Sequence, residues 1–246
     1  MSADIAALRK IWKDSFGDPD NVLDAFFATG FSPERCRFIR REGEIVSALY
    51  WFDCSLEGEK IAYLYALATD PAHRGKGLAR QLLTETHDRL RDRGYAGALL
   101  VPGERALFRF YENIGYRTVC QIGECTARWG DVPADLTPIT PQDYGKLRTQ
   151  YLPMGGVVQE GETLAYLATQ TGLYQGKDFL LAATVDGDTL VAQEFLGNAD
   201  AIPGILRYFG IPTGRFRTAG TDRDFAMLLP LREDCPVPSY FGLALD

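Results

Sequence analysis

The stretch "HRGKGLARQLL", His73 to Leu83, sets two glycines and three cationic side chains at the mouth of an amphipathic helix. A helix N-terminus leaves backbone N–H groups without intrahelical acceptors, and the macrodipole makes that end partly positive. An anion docked there gains hydrogen bonds and a favourable field together. Gly75 and Gly77 carry no side chain to hold a bulky anion off the backbone, and Arg74, Lys76 and Arg80 add charge. No Asp or Glu occurs from Pro71 to Thr84, although the chain carries a formal net charge of −7. The alternative is a loop that needs glycine for its dihedrals, with solvated bases beside it. Position, charge and helical phase agree on an anion site instead.

The surroundings supply a frame for that site. The helix is expected to run to about Arg93, with Gly94 suited to the position after its end. Leu78, Leu82, Leu83 and Leu90 form its apolar stripe, and Arg80, Glu85, Asp88, Arg89 and Asp92 its wet side. Ahead of it, "EKIAYLYALATD" predicts an apolar strand ended by Pro71. "RCRFIRREG" and "EIVSALYWFDCSL" predict two more, joined by a tight turn at Glu42-Gly43. Ile5, Leu8, Ile11, Trp12 and Phe16 recur at helical spacing up to Gly17, and Asp18-Pro19 predict the N-cap and first turn of a second helix. Downstream, "YAGALLVP" predicts a buried strand, "ERALFRFYENIG" a short helix closed at Gly115, and "YRTVCQIGECTARW" one or two strands. That order is α/β, and its helical crossover makes a parallel strand pair.

The phosphate-binding loops with the strictest spacing do not fit. A Walker A loop needs G-x-x-x-x-G-K-[ST], which Gly75 and Gly77 do not supply. In a G-x-G-x-x-G fingerprint the third glycine's place is held by Arg80. Arg74-Gly75-Lys76-Gly77-Leu78-Ala79 does fit [QR]-x-x-G-x-[GA]. Here the chain resembles the GCN5-related N-acetyltransferase (GNAT) family, with "LATDPAHRGKGLA" similar to its strand, turn and helix entry and "LFRFYENIGYR" similar to its later tyrosine motif. The resemblance is strong over Arg35 to Trp129 and extends to the helical leader.

The resemblance implies a mixed twisted sheet with flanking helices and acetyl-CoA as cosubstrate. It implies that the amides of Gly75, Lys76, Gly77, Leu78, Ala79 and Arg80 hold the pyrophosphate, beside the charge of Arg74. Leu67, Ala68 and Thr69 would meet the pantetheine arm and thioester through their backbone, and Tyr111 would protonate the departing thiol. A phenol and an alkyl thiol have similar intrinsic pKa values, so that transfer is near balance. The bland alternative for Tyr111 is a core aromatic one turn from Leu107. Two features depart from the family. Glu104 stands near the place where an asparagine often touches the coenzyme, and the third strand has no carboxylate beyond its start. Tyr63, Tyr65 and Asp53 remain open as general bases.

"GDVPADLTP" has two prolines and no apolar periodicity, which divides the chain into an expected acetyl-CoA-binding domain, 1–130, and a second, smaller α/β domain, 131–246. In the second, "LTPITPQDYGKLRTQYL" predicts a strand leading into a helix, "GETLAYLATQTGLY" a helix, and "DFLLAATVDGDTLVAQEFL" a hairpin around Asp186-Gly187-Asp188. "ADAIPGILRYFG" reads as helix, and "RFRTAG", "FAMLLPL" and "YFGLAL" as strands. The anion pattern fails at Arg217-Thr218-Ala219-Gly220 and again at Arg207 to Gly210. This half resembles a degenerate GNAT unit, expected to wall the acceptor cleft.

Composition narrows the function. The acidic balance argues against nucleic acid and against anionic membrane surfaces as partners. The N-terminal sequence has no signal-peptide pattern, and the five scattered cysteines and two histidines suit neither a disulfide framework nor a zinc site. The expectation is a cytoplasmic, metal-free N-acetyltransferase acting on a primary amine, a small molecule rather than a protein. The alternative is a non-catalytic module that binds or senses CoA.

Overall fold

The computed structural model describes residues 2–245. Helix α1 (Ser2–Phe16) buries Leu8, Ile11 and Trp12, as the apolar spacing requires. Helix α2 (Asp20–Ala25) starts later than the sequence suggests. Pro19 holds the N-cap position, and Asp18 accepts a hydrogen bond from Trp12 Nε1 at 2.7 Å. A buried indole N–H needs an acceptor, and that need takes Asp18 from the helix end.

Strands β1 (Cys36–Arg41), β2 (Glu44–Leu56) and β3 (Glu59–Thr69) form an antiparallel meander. Helix α3 (Leu78–Asp92) crosses over to β4 (Gly97–Leu100), which runs parallel to β3. Both faces of this sheet are covered, so its strands are apolar on both sides. One face packs Tyr50, Phe52 and Tyr63 with Trp12 of α1 and Phe26. The other packs Leu49, Trp51 and Leu64 with Leu78, Leu82, Leu83 and Leu90 of α3. Helix α4 (Arg105–Glu112) leads through Gly115, at φ +108°, into the single long strand β5 (Arg117–Arg128).

After an irregular passage, β6 (Leu136–Pro138), α5 (Pro141–Tyr151), β7 (Val158–Gln159) and α6 (Glu162–Leu167) follow. Helix α6 is shorter than predicted. Thr169 Oγ1 donates to the Tyr166 carbonyl at 2.7 Å, and Gly172–Gly176 become strand β8 between β6 and β9. Strands β9 (Phe179–Asp186) and β10 (Thr189–Gly197) form the expected hairpin, and helix α7 (Ile202–Phe209) crosses to β11 (Thr213–Pro230), parallel to β10.

The segments "RFRTAG" and "FAMLLPL" are one strand, β11, whose ladder with β5 passes directly from Thr218 to Arg223. "YFGLAL" is no strand: Tyr240 makes one isolated bridge to Gly156, and Tyr240 to Ala244 are buried without sheet pairing.

Among the described residues the sheet order is β1-β2-β3-β4-β11-β10-β9-β8-β6, with β5 on β11 and β7 on β2. The far end of β11 inserts beside β4, pairing Met227 with Leu100 and Pro230 with Gly97. Among the described residues no helix is long and apolar enough to cross a membrane.

Candidate functional site

The quoted stretch forms an exposed turn between β3 and α3. Asp70 caps a short 3-10 turn, its Oδ1 accepting from Ala72 N at 2.8 Å. Gly75 and Gly77 both lie at φ +75°, the left-handed region that side-chain-bearing residues disfavour, and space is open where a Cβ would stand on either. The glycines are thus required by backbone conformation as well as by access. Gly77 occupies the N-cap of α3 and offers no side-chain cap. The first helical bond is Gln81 N to Gly77 O at 3.0 Å. The consecutive amides of Gly75, Lys76, Gly77, Leu78, Ala79 and Arg80 have no backbone or side-chain acceptor among the described residues.

The three cations are steered by carbonyls. Arg74 Nε donates to Thr69 O, Lys76 Nζ to Ala72 O and Arg80 Nη1 to Asn113 O, each at 3.1 Å. None forms an ion pair with a carboxylate among the described residues. Their charge is uncompensated beside a row of free amide donors. Such a turn has the donors and the charge that a multiply charged anion requires.

Next to this turn the sheet opens. Strands β3 and β4 pair from Ile61 to Tyr63 against Gly97 to Leu99 and then diverge. In the diverging part β3 is bulged: Ala48 faces Ala68 and Tyr50 faces Tyr65, which sets both Ala66 and Leu67 against Leu49. Ala66 sits at φ +50°. A bulge at the splay re-aims backbone groups of β3 towards the gap. The gap is part of a cavity of about 630 Å³ that passes through the sheet. Leu83, Leu107 and Tyr111 line it on the α3–α4 face, and Trp12, Phe16 and Tyr65 on the α1 face. The chain beyond Asp131 lines it too, with Gln170, Thr171, Thr184, Gln193 and Leu245.

Helix α4 places Tyr111 on its buried side, edge-on to Tyr116 with ring centroids 5.6 Å apart. Its hydroxyl bonds to no protein group among the described residues, and burial pushes its pKa up to about 12. It is therefore a neutral O–H aimed at no internal partner. Of the strand residues singled out, Leu67 lines the cavity. Ala68 is buried, its carbonyl accepting from Ser47 Oγ at 2.9 Å, and Thr69 Oγ1 lies 3.0 Å from the same hydroxyl. Ser47 thus anchors the end of the strand from which the turn departs.

Of the general-base candidates, Tyr63 and Tyr65 line the cavity and Asp53 does not. Asp53 is engaged by Tyr95 and, at 3.6 Å, by Arg35. Tyr63 Oη accepts from Leu245 N at 3.1 Å, and Tyr65 Oη lies 3.3 Å from Tyr166 Oη. Burial raises the Tyr65 hydroxyl well above its ordinary range. Glu104 holds the N-cap position of α4 without capping it.

Sequence reasoning missed Asp18, a carboxylate on the cavity wall that it had assigned to a helix cap. It also missed which second-half segment lies before the crossover helix. That segment is Gly197 to Ile202, not the places searched. Asn198 Oδ1 accepts from Asp200 N at 3.0 Å, and Asp200 brings an acid where the first turn has bases. A sign was present in sequence: the turn follows the plainest hairpin in the chain. Among the described residues no group of His, Cys, Asp or Glu side chains is placed to hold a metal ion.

Residues 1–119 match the model of the acetyltransferase (GNAT) domain. An uncharacterized N-acetyltransferase of Escherichia coli K12, YhbS, is 36% identical over 90 residues, which cover 36% of this chain and 51% of the relative. The chain therefore spans about half the length of the curated relatives it matches. Among solved structures, a GCN5-related N-acetyltransferase from Anabaena variabilis ATCC 29413 superposes with TM-score 0.72 at 16% identity, covering 94% of this chain and 71% of that one. One from Kribbella flavida superposes with TM-score 0.64 at 16% identity, covering 92% and 68%. At such identities the likeness is one of fold.

Proposed function

We propose that the chain, whose residues 1–119 match the acetyltransferase (GNAT) domain, transfers an acetyl group from acetyl-CoA to a primary amine of a small molecule. The observation that carries this reading is the row of six acceptor-free amides from Gly75 to Arg80, flanked by Arg74, Lys76 and Arg80 and adjoining a cavity that holds Tyr111. A diphosphate suits that row, since each oxygen finds an oriented donor and the helix field adds to the side-chain charge. The open space at Gly75 and Gly77 lets phosphate oxygens approach the main chain.

Bound there, acetyl-CoA supplies the activated acetyl group as a thioester. Backbone groups of the β3 bulge at Ala66 and Leu67 orient and polarise its carbonyl, and the gap between β3 and β4 admits the amine from the opposite face. As the new C–N bond forms and the C–S bond breaks, the Tyr111 hydroxyl gives its proton to the sulfur, and the proton shed by the acylated nitrogen passes through solvent to restore the phenol. Burial raises the phenol pKa, and the same desolvation raises the basicity of a thiolate leaving into the same cavity, so the transfer stays feasible.

The second half serves as the cavity's other wall, a degenerate GNAT-like unit without a coenzyme site. Its strand pairing supports this reading: antiparallel β8-β9-β10, crossover helix, parallel β11 repeats antiparallel β1-β2-β3, crossover helix, parallel β4. Asp200 before α7 disfavours an anion.

Calorimetry with acetyl-CoA and a thiol-release assay over an amine library test the proposal. Binding abolished by Gly77→Glu and amine-dependent thiol release are the expected results. Absence of binding heat would discard the reading, and binding without release to any amine would favour a CoA-sensing module.

A further inference from the structure

The cavity's two ends differ in charge. The α3–α4 end, with Leu83, Leu107 and Tyr111, has no formal charge. The α1 end has Asp18, the one formally charged side chain among the described residues that line the cavity. Trp12 Nε1 fixes Asp18 Oδ2 at 2.7 Å, and Oδ1 has no donor among the described residues. No Lys, Arg or His pairs with this carboxylate among the described residues, although the neighbouring Lys13 and Asp20 pair with each other at 2.9 Å. Aromatic rings surround the place: Trp12 and Tyr65 lie edge to face at 5.5 Å. A half-buried carboxylate facing an aromatic, largely apolar chamber is poorly compensated until a cation arrives, and ring faces add to a cation's attraction.

The nitrogen that attacks a thioester must be neutral, with its lone pair free. A nitrogen held against Asp18 is an ammonium. Asp18 is therefore placed to hold a second nitrogen of the acceptor, while Tyr111 works from the other face of the sheet. Resting on the acyl-transfer reading above, we propose that the acceptor is an aminoalkyl cation. One end is an ammonium bound by Asp18 in the Trp12–Tyr65 chamber, and the other is a primary amine that reaches the strand gap across an apolar spacer. The spacer's apolar character follows from the apolar lining of the α1 face, Ala66, Ala244 and Leu245 among it.

The test compares thiol release from acetyl-CoA with unbranched terminal diamines and with monoamines of equal chain length, using the full chain. A charge-assisted contact of this kind should favour the diamine in kcat/KM by about tenfold or more. In Asp18→Asn the diamine-to-monoamine ratio should fall towards one. Equal kcat/KM for the two series in the wild type overturns the proposal, with or without a folded variant. So does a preference that survives in folded Asp18→Asn, or turnover with neither series while acetyl-CoA binds. Failure to bind acetyl-CoA would strike the acyl-transfer reading instead, and calorimetry separates the two.

Discussion

Arg148 and Glu194 face each other in the interior, with Nε to Oε2 at 2.7 Å and Nη2 to Oε1 at 2.9 Å, their side chains 1% and 0% exposed. The pair is closed by further bonds. Arg148 Nη1 donates to Val157 O, and the hydroxyls of Tyr144 and Tyr240 each donate to Glu194 at 3.1 Å. Helix α5, strand β10 and the buried C-terminal segment meet at this carboxylate. Arg148→Met leaves an uncompensated buried charge and should cost about 3–5 kcal/mol in denaturant unfolding. Arg148→Met with Glu194→Leu should recover part of that, and only part, because two tyrosine hydroxyls lose their acceptor.

Ala66 holds a left-handed backbone at the bulge of β3. An L-residue is strained there and glycine is not, while glycine loses more freedom on folding. Ala66→Gly should stabilise the chain by about 0.5–1 kcal/mol, read as a rise in melting temperature. A fall would mean that the methyl's packing in the cavity outweighs the strain.

Tyr111→Phe should lower kcat by about 10²- to 10⁴-fold while acetyl-CoA binding persists, the usual range for loss of a positioned proton donor. Burial holds this hydroxyl's pKa at about 12. Its proton is therefore retained at all lower pH values, and any alkaline loss of wild-type activity below that point must come from another group. A kcat–pH profile checks this.

His87 is buried on α3, with Nε2 2.7 Å from Tyr116 Oη. Burial pushes its pKa down to about 4. The unfolded chain binds a proton at the ordinary histidine value, so stability is full above about 6.5 and declines as pH falls towards 4. The full loss is about 3 kcal/mol. His87→Gln should flatten that part of the stability–pH curve, measured by unfolding at stepped pH.

The first half was legible because its signals are local. Gly75 to Arg80 declare their turn by spacing and charge, and Tyr111 by its place in a short amphipathic helix closed at Gly115. The cavity's far wall was not legible, since Gln170, Thr184, Gln193 and Leu245 come to share a cavity with Tyr65 only through the tertiary fold. Asp18 was misassigned because Asp before Pro carries a strong helix-start signal, and the competing demand of the Trp12 indole is visible only once α1 is packed. Strand β11 was split in the sequence because the polar run Thr221 to Asp224 separates its two apolar stretches. Its pairing to β5 on both sides of that segment bridges the interruption.

The insertion of β11 beside β4 carries a consequence for how the chain acquires its shape. Gly97 to Leu100 are buried on every side, yet one edge of that strand is satisfied only by Met227 to Pro230. During synthesis β4 must remain an open edge until β11 has emerged. Loop closure over such a span is slow, and an unpaired apolar edge is prone to misassociation meanwhile. Folding of the first half should thus wait upon β11, a partner that a chain ending at β5 would lack.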